Sequence, residues 1–433
     1  MSSDRAHLDY IALHDQEGLP IQTAIFGCAG SGKSILGAQL ACQALRQGCA
    51  VFWTATAYDD LVDGQLQQAV DERKIPYLDL TPEKFRGGDE SLRLGYSSAE
   101  HLAKSLARAT MCTSERGASH DAQDDYYFRA SLSAVRVALW VLQGQGPAGL
   151  EVTCNALFCA LSDPNALWAR LEAQPSSDER QAMMRALEVY SLDGPHDPLD
   201  EKKFRETTGR LLHGIRQLDV AYDRKIVFTL KPEDSALASV FAQQGLVQLV
   251  APVFGSAVDE QAGATMHILA LQSLAALAVS ARKPCLLLVD EVEASALQAA
   301  EVAAEANLSY VYCGQYASQS KVRRTLASRV SRIVLMRQNT QPDVDEIFTN
   351  GRFMDHGCVL ESRGTGLLRR LTRSKTVALR HACREFRAGD YVVLDRVNPG
   401  AVRVQRVPPY TQEYLAAVRE RGREIASERA LQS

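Results

Sequence analysis

From Thr23 to Leu45 the chain reads TAIFGCAGSGKSILGAQLACQAL: an apolar run breaks into glycines, passes through Gly-Lys-Ser and resumes with apolar residues at helical spacing. Few features restrict a fold more, because a strand must end, a tight loop must form and a helix must start within a dozen residues. Gly27, Cys28, Ala29, Gly30, Ser31, Gly32, Lys33 and Ser34 match G-x-x-x-x-G-K-[ST] in full, and Ile35 follows in the helix. Glycines allow a turn tight enough for backbone N–H groups to surround phosphate oxygens, and the helix N-terminus adds positive potential. Lys33 is placed to reach the β and γ phosphates and Ser34 to bind Mg²⁺.

Such a loop needs a carboxylate at the end of a second buried strand. CLLLVDE, Cys285 to Glu291, supplies it: the apolar run reads as a strand, Asp290 as the Mg²⁺ residue, and Glu291 as the group that orients and deprotonates the attacking water. The guanine-reading pattern N-K-x-D is absent, so ATP is favoured over GTP. The two motifs lie too far apart for a small GTPase-like domain, and the separation fits a domain inserted into a RecA-like sheet.

The rest of the pattern agrees with an α/β chain. DYIALH and PIQTAIFG suggest a short hairpin before the loop, CAVFWTAT a second strand, DDLVDGQLQQAVDERK an amphipathic helix and IPYLDLTP a third strand. Strand and helix in alternation predict a mostly parallel central sheet. After about Glu90 the period becomes helical, with QGQGPAG and SLDGPHDPLD as loops. The α/β pattern resumes at KIVFTLKP, with a helix expected from Ser235 through Phe254 and later strands at LSYVYCG, SRIVLMRQ, GCVLES, TVALRH and GDYVVLDR. The expected division is a RecA-like nucleotide-binding domain from residues 1–94 and 221–409, an inserted all-α domain at 95–220, and a helical tail at 410–433.

Composition narrows the setting. A net charge of −4 gives no global attraction to nucleic acid, so any such attraction must be local. The ten cysteines show no CxxC or zinc-type spacing and read as reduced thiols of a cytoplasmic protein. The N-terminus has no signal-peptide core. The longest uncharged run, Ala262 to Ala281, contains His267, Gln272 and Ser273 and reads as a buried helix rather than a membrane span.

The segment LSYVYCGQYASQSKVRRTLASRVSRIVLMRQ places Gln315-Tyr-Ala-Ser-Gln319 at a strand end, before a basic helix. It resembles the Q-x-x-S-Q segment of type IV secretion coupling proteins, the TraG/TraD-like conjugation ATPases of the FtsK/HerA motor superfamily. DDYYFRASLSAVRVALWVL is similar to the helix opening that family's all-α domain. IVFTLKPEDSALASVFAQQGLVQLVAPVF is similar to its return strand and long helix, and FRAGDYVVLDR with VRVQRVPPY to its C-terminal strand pair. The resemblance implies a homo-hexameric motor in which Gln315 senses the γ-phosphate or links hydrolysis to DNA movement. It further implies DNA, a relaxase complex and a secretion channel as partners, at the inner face of the cell membrane. Two departures stand out: no N-terminal membrane anchor, which points to a separate anchor protein, and WTATAYDDLVDG where the family tends to carry an Asp-Pro-Lys-Gly-Glu-like turn. Asp59 and Asp60 are the partial substitutes there.

Six basic residues and no acidic ones lie between Lys321 and Arg337, and eight between Arg363 and Arg387 against Glu385 alone. Such patches suit sequence-independent phosphate-backbone binding, and equally a solvated face or intersubunit ion pairs. Arg329, Arg332, Arg337, Arg363 and Arg373 are the candidates for an arginine acting on a neighbouring subunit's nucleotide. The leading expectation is a DNA-coupling or DNA-pumping ATPase. The alternatives are a secretion assembly ATPase that does not act on DNA and an ATP-binding adaptor that recruits protein cargo.

Overall fold

A computed structural model of the chain describes residues 20–85, 90–112, 122–144, 151–191, 199–250, 257–281, 283–316, 320–339, 341–351, 357–363, 372–378, 383–384, 386–395, 404–407 and 412–432. The expected strand DYIALH, the loops at 145–150 and 192–198, and Gln319 lie outside them.

In chain order the elements begin with β1 (Gln22–Phe26), α1 (Lys33–Arg46), β2 (Ala50–Ala55), α2 (Asp60–Arg73) and β3 (Tyr77–Asp79). Next come β4 (Leu92–Gly95), α3 (Ala99–Cys112), α4 (Ala122–Gln143), β5 (Glu151–Thr153), α5 (Cys154–Ser162), α6 (Pro164–Glu172), α7 (Asp178–Leu187) and α8 (Glu201–Ala221). The middle of the chain continues with β6 (Ile226–Thr229), α9 (Ala236–Ala242), β7 (Leu246–Val250), α10 (Ala257–Ala281), β8 (Cys285–Asp290), α11 (Glu293–Glu305) and β9 (Ser309–Gly314). Last are α12 (Lys321–Arg329), β10 (Arg332–Leu335), α13 (Gln341–Gly351), β11 (Gly357–Arg363), β12 (Thr372–Ala378), β13 (Asp390–Asp395), β14 (Gln405–Arg406) and α14 (Gln412–Gln432).

Contacts divide the chain into two units. The first holds residues 1–75, 244–246 and 284–427, and the second 76–243, 247–283 and 428–433. In the first unit the strand order is β14-β13-β10-β1-β9-β8-β2. β1, β9, β8, β2 and β10 run parallel, and β13 and β14 pair antiparallel at the edge. β2, β8 and β9 are buried along their whole length, as parallel strands covered on both faces require. Phe26 pairs with Gly314 and with Leu335, and Asp290 pairs with Cys313 and with Ala55. The carboxyl ends of these strands are therefore level, and the glycine loop, Asp290 and Gln315 all emerge at one end of the sheet. β11 and β12 form a separate antiparallel pair.

α14 lies on α2 through two close backbone crossings. A Cβ at Gly64 would strike the Val418 carbonyl, and one at Gly422 would strike the Asp60 carbonyl. Arg421 adds an ion pair with Asp71 at 3.3 Å.

The second unit is mainly helical, with a three-stranded sheet in the order β4-β6-β5. The expected strand KIVFTLKP exists as β6, but it pairs in parallel with β4 and antiparallel with β5. β4 and β5 are too short to carry a period, so the helical reading from Glu90 onward missed them. The helix expected from Ser235 through Phe254 ends at Ala242, where Gln244 turns left-handed at φ 58 and the apolar LVQLV becomes β7. β7 neighbours β3, and Leu80 N donates to Gln248 O at 2.7 Å. Among the described residues one stretch, Gln261–Val279 in α10, is long and apolar enough to cross a membrane, and it is 89% buried within the fold. Its polar groups have local uses: Ser273 Oγ accepts from Gly95 N at 3.0 Å, and Gln272 Oε1 meets His101 Nε2 at 3.1 Å.

Candidate nucleotide site

The glycine loop is fixed at its root by backbone bonds to both neighbouring strand ends. Gly27 N donates to Gly314 O at 3.2 Å, and Cys28 N to Arg337 O at 2.8 Å. A side chain at Gly27 would collide with Ser31 Oγ, and Gly30 and Gly32 stand at φ 69 and φ 98, where L residues are strained. Gly32 caps α1 with no side-chain hydrogen bond, and the first turn carries no acidic residue. Orphan N–H groups with a positive dipole end are left to face an anion.

Lys33 is 5% exposed; its Nζ donates to Cys28 O at 3.2 Å and pairs with Glu291 Oε1 at 3.5 Å. Glu291 owes its position to a left-handed backbone at φ 61, held by its N–H donating to Cys313 O at 2.8 Å. Such a conformation costs a non-glycine residue about 1–3 kcal/mol. It lets the strand end on a buried Asp290 while the next carboxylate, 39% exposed, reaches Lys33.

Asp290 is 8% exposed and accepts a hydrogen bond from Ser34. Burial pushes its carboxyl up to about 7, the negative charges of Glu291 and Asp59 add to the rise, and Ser34 and Lys33 oppose it. Its Oδ1 is buried with no hydrogen-bond partner among the described residues. A hydroxyl and a buried carboxylate with one orphaned oxygen are an oxygen-donor pair suited to Mg²⁺, so the residues fit the expected metal. Asp59 is spent on α2, accepting from Leu61 N at 2.9 Å and Val62 N at 3.1 Å as a helix cap.

Gln315 is exposed and follows Gly314 on β9, the strand between β1 and β8. It thus stands at the same sheet end as Lys33 and Asp290. The five arginines separate by environment. Arg332 is buried at the base of β10 and pairs with Asp395 at 2.6 Å. Arg329 pairs with Glu301 at 2.7 Å on the surface. Arg337 lies against the loop of its own chain, with Nε 3.3 Å from Cys28 Sγ. Arg363 and Arg373 lie on the β11–β12 pair, where Ser362 faces Arg373.

The segment before β13 also reaches the phosphate loop. Gly389, at φ 84, donates its N–H to Ser31 O at 2.8 Å. In the sequence FRAGDYVVLDR marks one member of a strand pair with VRVQRVPPY, and the local signal for the loop contact is Ala-Gly-Asp as a turn.

A parallel sheet with a phosphate loop on β1, an acidic pair on β8 and one strand between them defines a RecA-like P-loop fold. Solved structures share it along nearly the whole chain. The bacterial conjugative coupling protein TrwB, unbound, matches with a TM-score of 0.54 at 12% identity, over 92% of this chain and 89% of that one. TrwB in complex with a non-hydrolysable ATP analogue matches with a TM-score of 0.54 at 12% identity, over 90% of this chain and 86% of that one. VirB4 of Thermoanaerobacter pseudethanolicus matches with a TM-score of 0.50 at 14% identity, over 91% and 90%. No family model matches the sequence, and no curated protein does.

Proposed function

We propose that the chain is an Mg-ATP-hydrolysing motor of the conjugative coupling type, working on DNA as a ring of identical subunits. The observation that carries this reading is the grouping of Lys33, Ser34, Asp290 and Glu291 at one sheet end, on a fold shared with TrwB. The loop N–H groups and Lys33 hold the β and γ phosphates. Ser34 and Asp290 hold Mg²⁺, which neutralises charge on those phosphates when bound. Glu291 orients the attacking water and takes its proton. The Lys33–Glu291 pair implies an order of events: phosphate oxygens draw Lys33 away, and Glu291 becomes available as a base only once substrate is in place.

Gln315, just past the end of the strand between loop and base, reports the γ-phosphate to the DNA-bearing surface. The basic helix α12 supplies phosphate-backbone contacts, Arg332 and Arg337 being engaged within the fold, and the inserted helical domain faces the substrate. A relaxase complex and a secretion channel are the expected protein partners. The matching fold of VirB4 favours one second reading, a secretion assembly ATPase that does not act on DNA. The test is ATP turnover with and without single- and double-stranded DNA of unrelated sequences. Stimulation by any sequence, weakening with salt, supports the motor; turnover indifferent to DNA supports the assembly ATPase.

A further inference from the structure

With Asp290 and Glu291 acting at the γ-phosphate, the strand order sets which way a bound nucleotide points. The γ-phosphate has to lie towards β8, where Asp290 and Glu291 stand, and β9 separates β8 from the loop strand β1. The nucleoside end therefore leaves the loop on the opposite side of β1, over the ends of β10 and β13.

Two features are built there. Arg337 follows the end of β10, its carbonyl accepting from Cys28 N at 2.8 Å and its Nε 3.3 Å from Cys28 Sγ. It is half-buried, and among the described residues its two terminal nitrogens make no hydrogen bond. Beside it, Arg387 to Asp390 form a tight turn: Asp390 N donates to Arg387 O at 3.0 Å, and Asp390 Oδ2 accepts from Arg387 N at 2.9 Å. The turn is fastened on both sides of Gly389, whose N–H donates to Ser31 O at 2.8 Å and whose carbonyl accepts from Val407 N at 2.8 Å. Arg406 Nε on β14 donates to Asp390 Oδ1 at 2.7 Å and closes the arrangement. Gln338, next to Arg337, is itself pinned by Nε2 donating to Phe26 O at 2.9 Å and by its N–H donating to Cys383 O at 3.1 Å.

These bonds join the end of the chain's sheet to the phosphate loop, and they hold a planar cation at the mouth of the loop. We propose that Arg337 and the Arg387–Asp390 turn form the nucleoside-side wall of the nucleotide site, with the Arg337 guanidinium receiving the ribose and base of the chain's own nucleotide. This rests on the ATP-binding reading above and takes Arg337 off the set of arginines acting on a neighbouring subunit. A guanidinium suits the task because its flat face packs on a base while its edge donors reach hydroxyl and ring acceptors.

The test compares two ligands that share the phosphates and differ in the nucleoside. Mg²⁺ complexes of ATP and of inorganic tripolyphosphate are titrated calorimetrically into the full chain and into Arg337→Ala. The expected result is a loss of about tenfold in ATP affinity, the size of one desolvated cation–ring contact, with tripolyphosphate affinity unchanged. Retained tripolyphosphate binding also shows that the loop of the variant is folded. Equal losses for both ligands would overturn the proposal by placing Arg337 on the phosphates, and no loss for either would overturn it outright. A wild-type chain that binds neither ligand would remove the ATP-binding reading itself, an outcome distinct from the other two.

Discussion

At the residue scale the site depends on charges kept out of water and given partners. Lys33 is almost fully buried and has two partners, a backbone carbonyl and Glu291. Lys33→Ala removes the cation that the phosphates would meet, so Mg-ATP affinity should fall at least about tenfold by calorimetry; unchanged affinity would mean that the loop does not bind phosphate. A second buried group sets a pH dependence. His267 lies on α10 and burial holds its imidazole at about 3, below the ordinary 6.5. Because the folded value is the lower one, this contribution to stability is fully present above about pH 6.5 and is lost as pH falls towards about 3. Urea unfolding at roughly pH 7 and pH 5 should therefore differ by about 2 kcal/mol from this residue, and the difference should shrink by that amount in His267→Gln. A variant that keeps the whole slope would contradict the assignment.

At the element scale, the contact between α2 and α14 depends on the absence of side chains at Gly64 and Gly422. A glycine-to-alanine change inside a helix ordinarily stabilises by about 1 kcal/mol. Here the added methyl meets carbonyl oxygens of the partner helix, so Gly64→Ala should instead destabilise by about 1–3 kcal/mol in thermal or urea unfolding. A gain in stability would show that α14 does not sit there in solution. The helix α14 reads as a polar tail because its inner side is sparse, Val418 buried and Leu415 and Ile425 half-buried around Gly422, while charged residues fill the rest of it. Elements with a strong local signature were legible, among them β1 with its loop, β8 with its acidic end, and α10 with its uncharged run. β4 and β5 were not, because three or four residues cannot show a period. LVQLV carries on the apolar rhythm of α9 and so reads as more helix, whereas the left-handed turn at Gln244 ends α9 before it and starts β7.

At the scale of the whole molecule, the sequence carried the phosphate loop and the Asp290–Glu291 pair because each lies in one short contiguous motif. The nearness of Ser34 to Asp290 and of Lys33 to Glu291 depends on β9 lying between β1 and β8, a long-range pairing that no local pattern encodes. The contact of the Gly389 turn with Ser31 likewise depends on the antiparallel edge strands that carry it back to the loop. ATP hydrolysis with Glu291 as the base is the activity proposed for this arrangement. The most direct measurement is steady-state ATP hydrolysis at saturating Mg-ATP, with the wild type and Glu291→Gln compared in parallel. Glu291→Gln should still bind Mg-ATP while its turnover falls by about 10²–10⁴-fold. Turnover in Glu291→Gln equal to that of the wild type would contradict it.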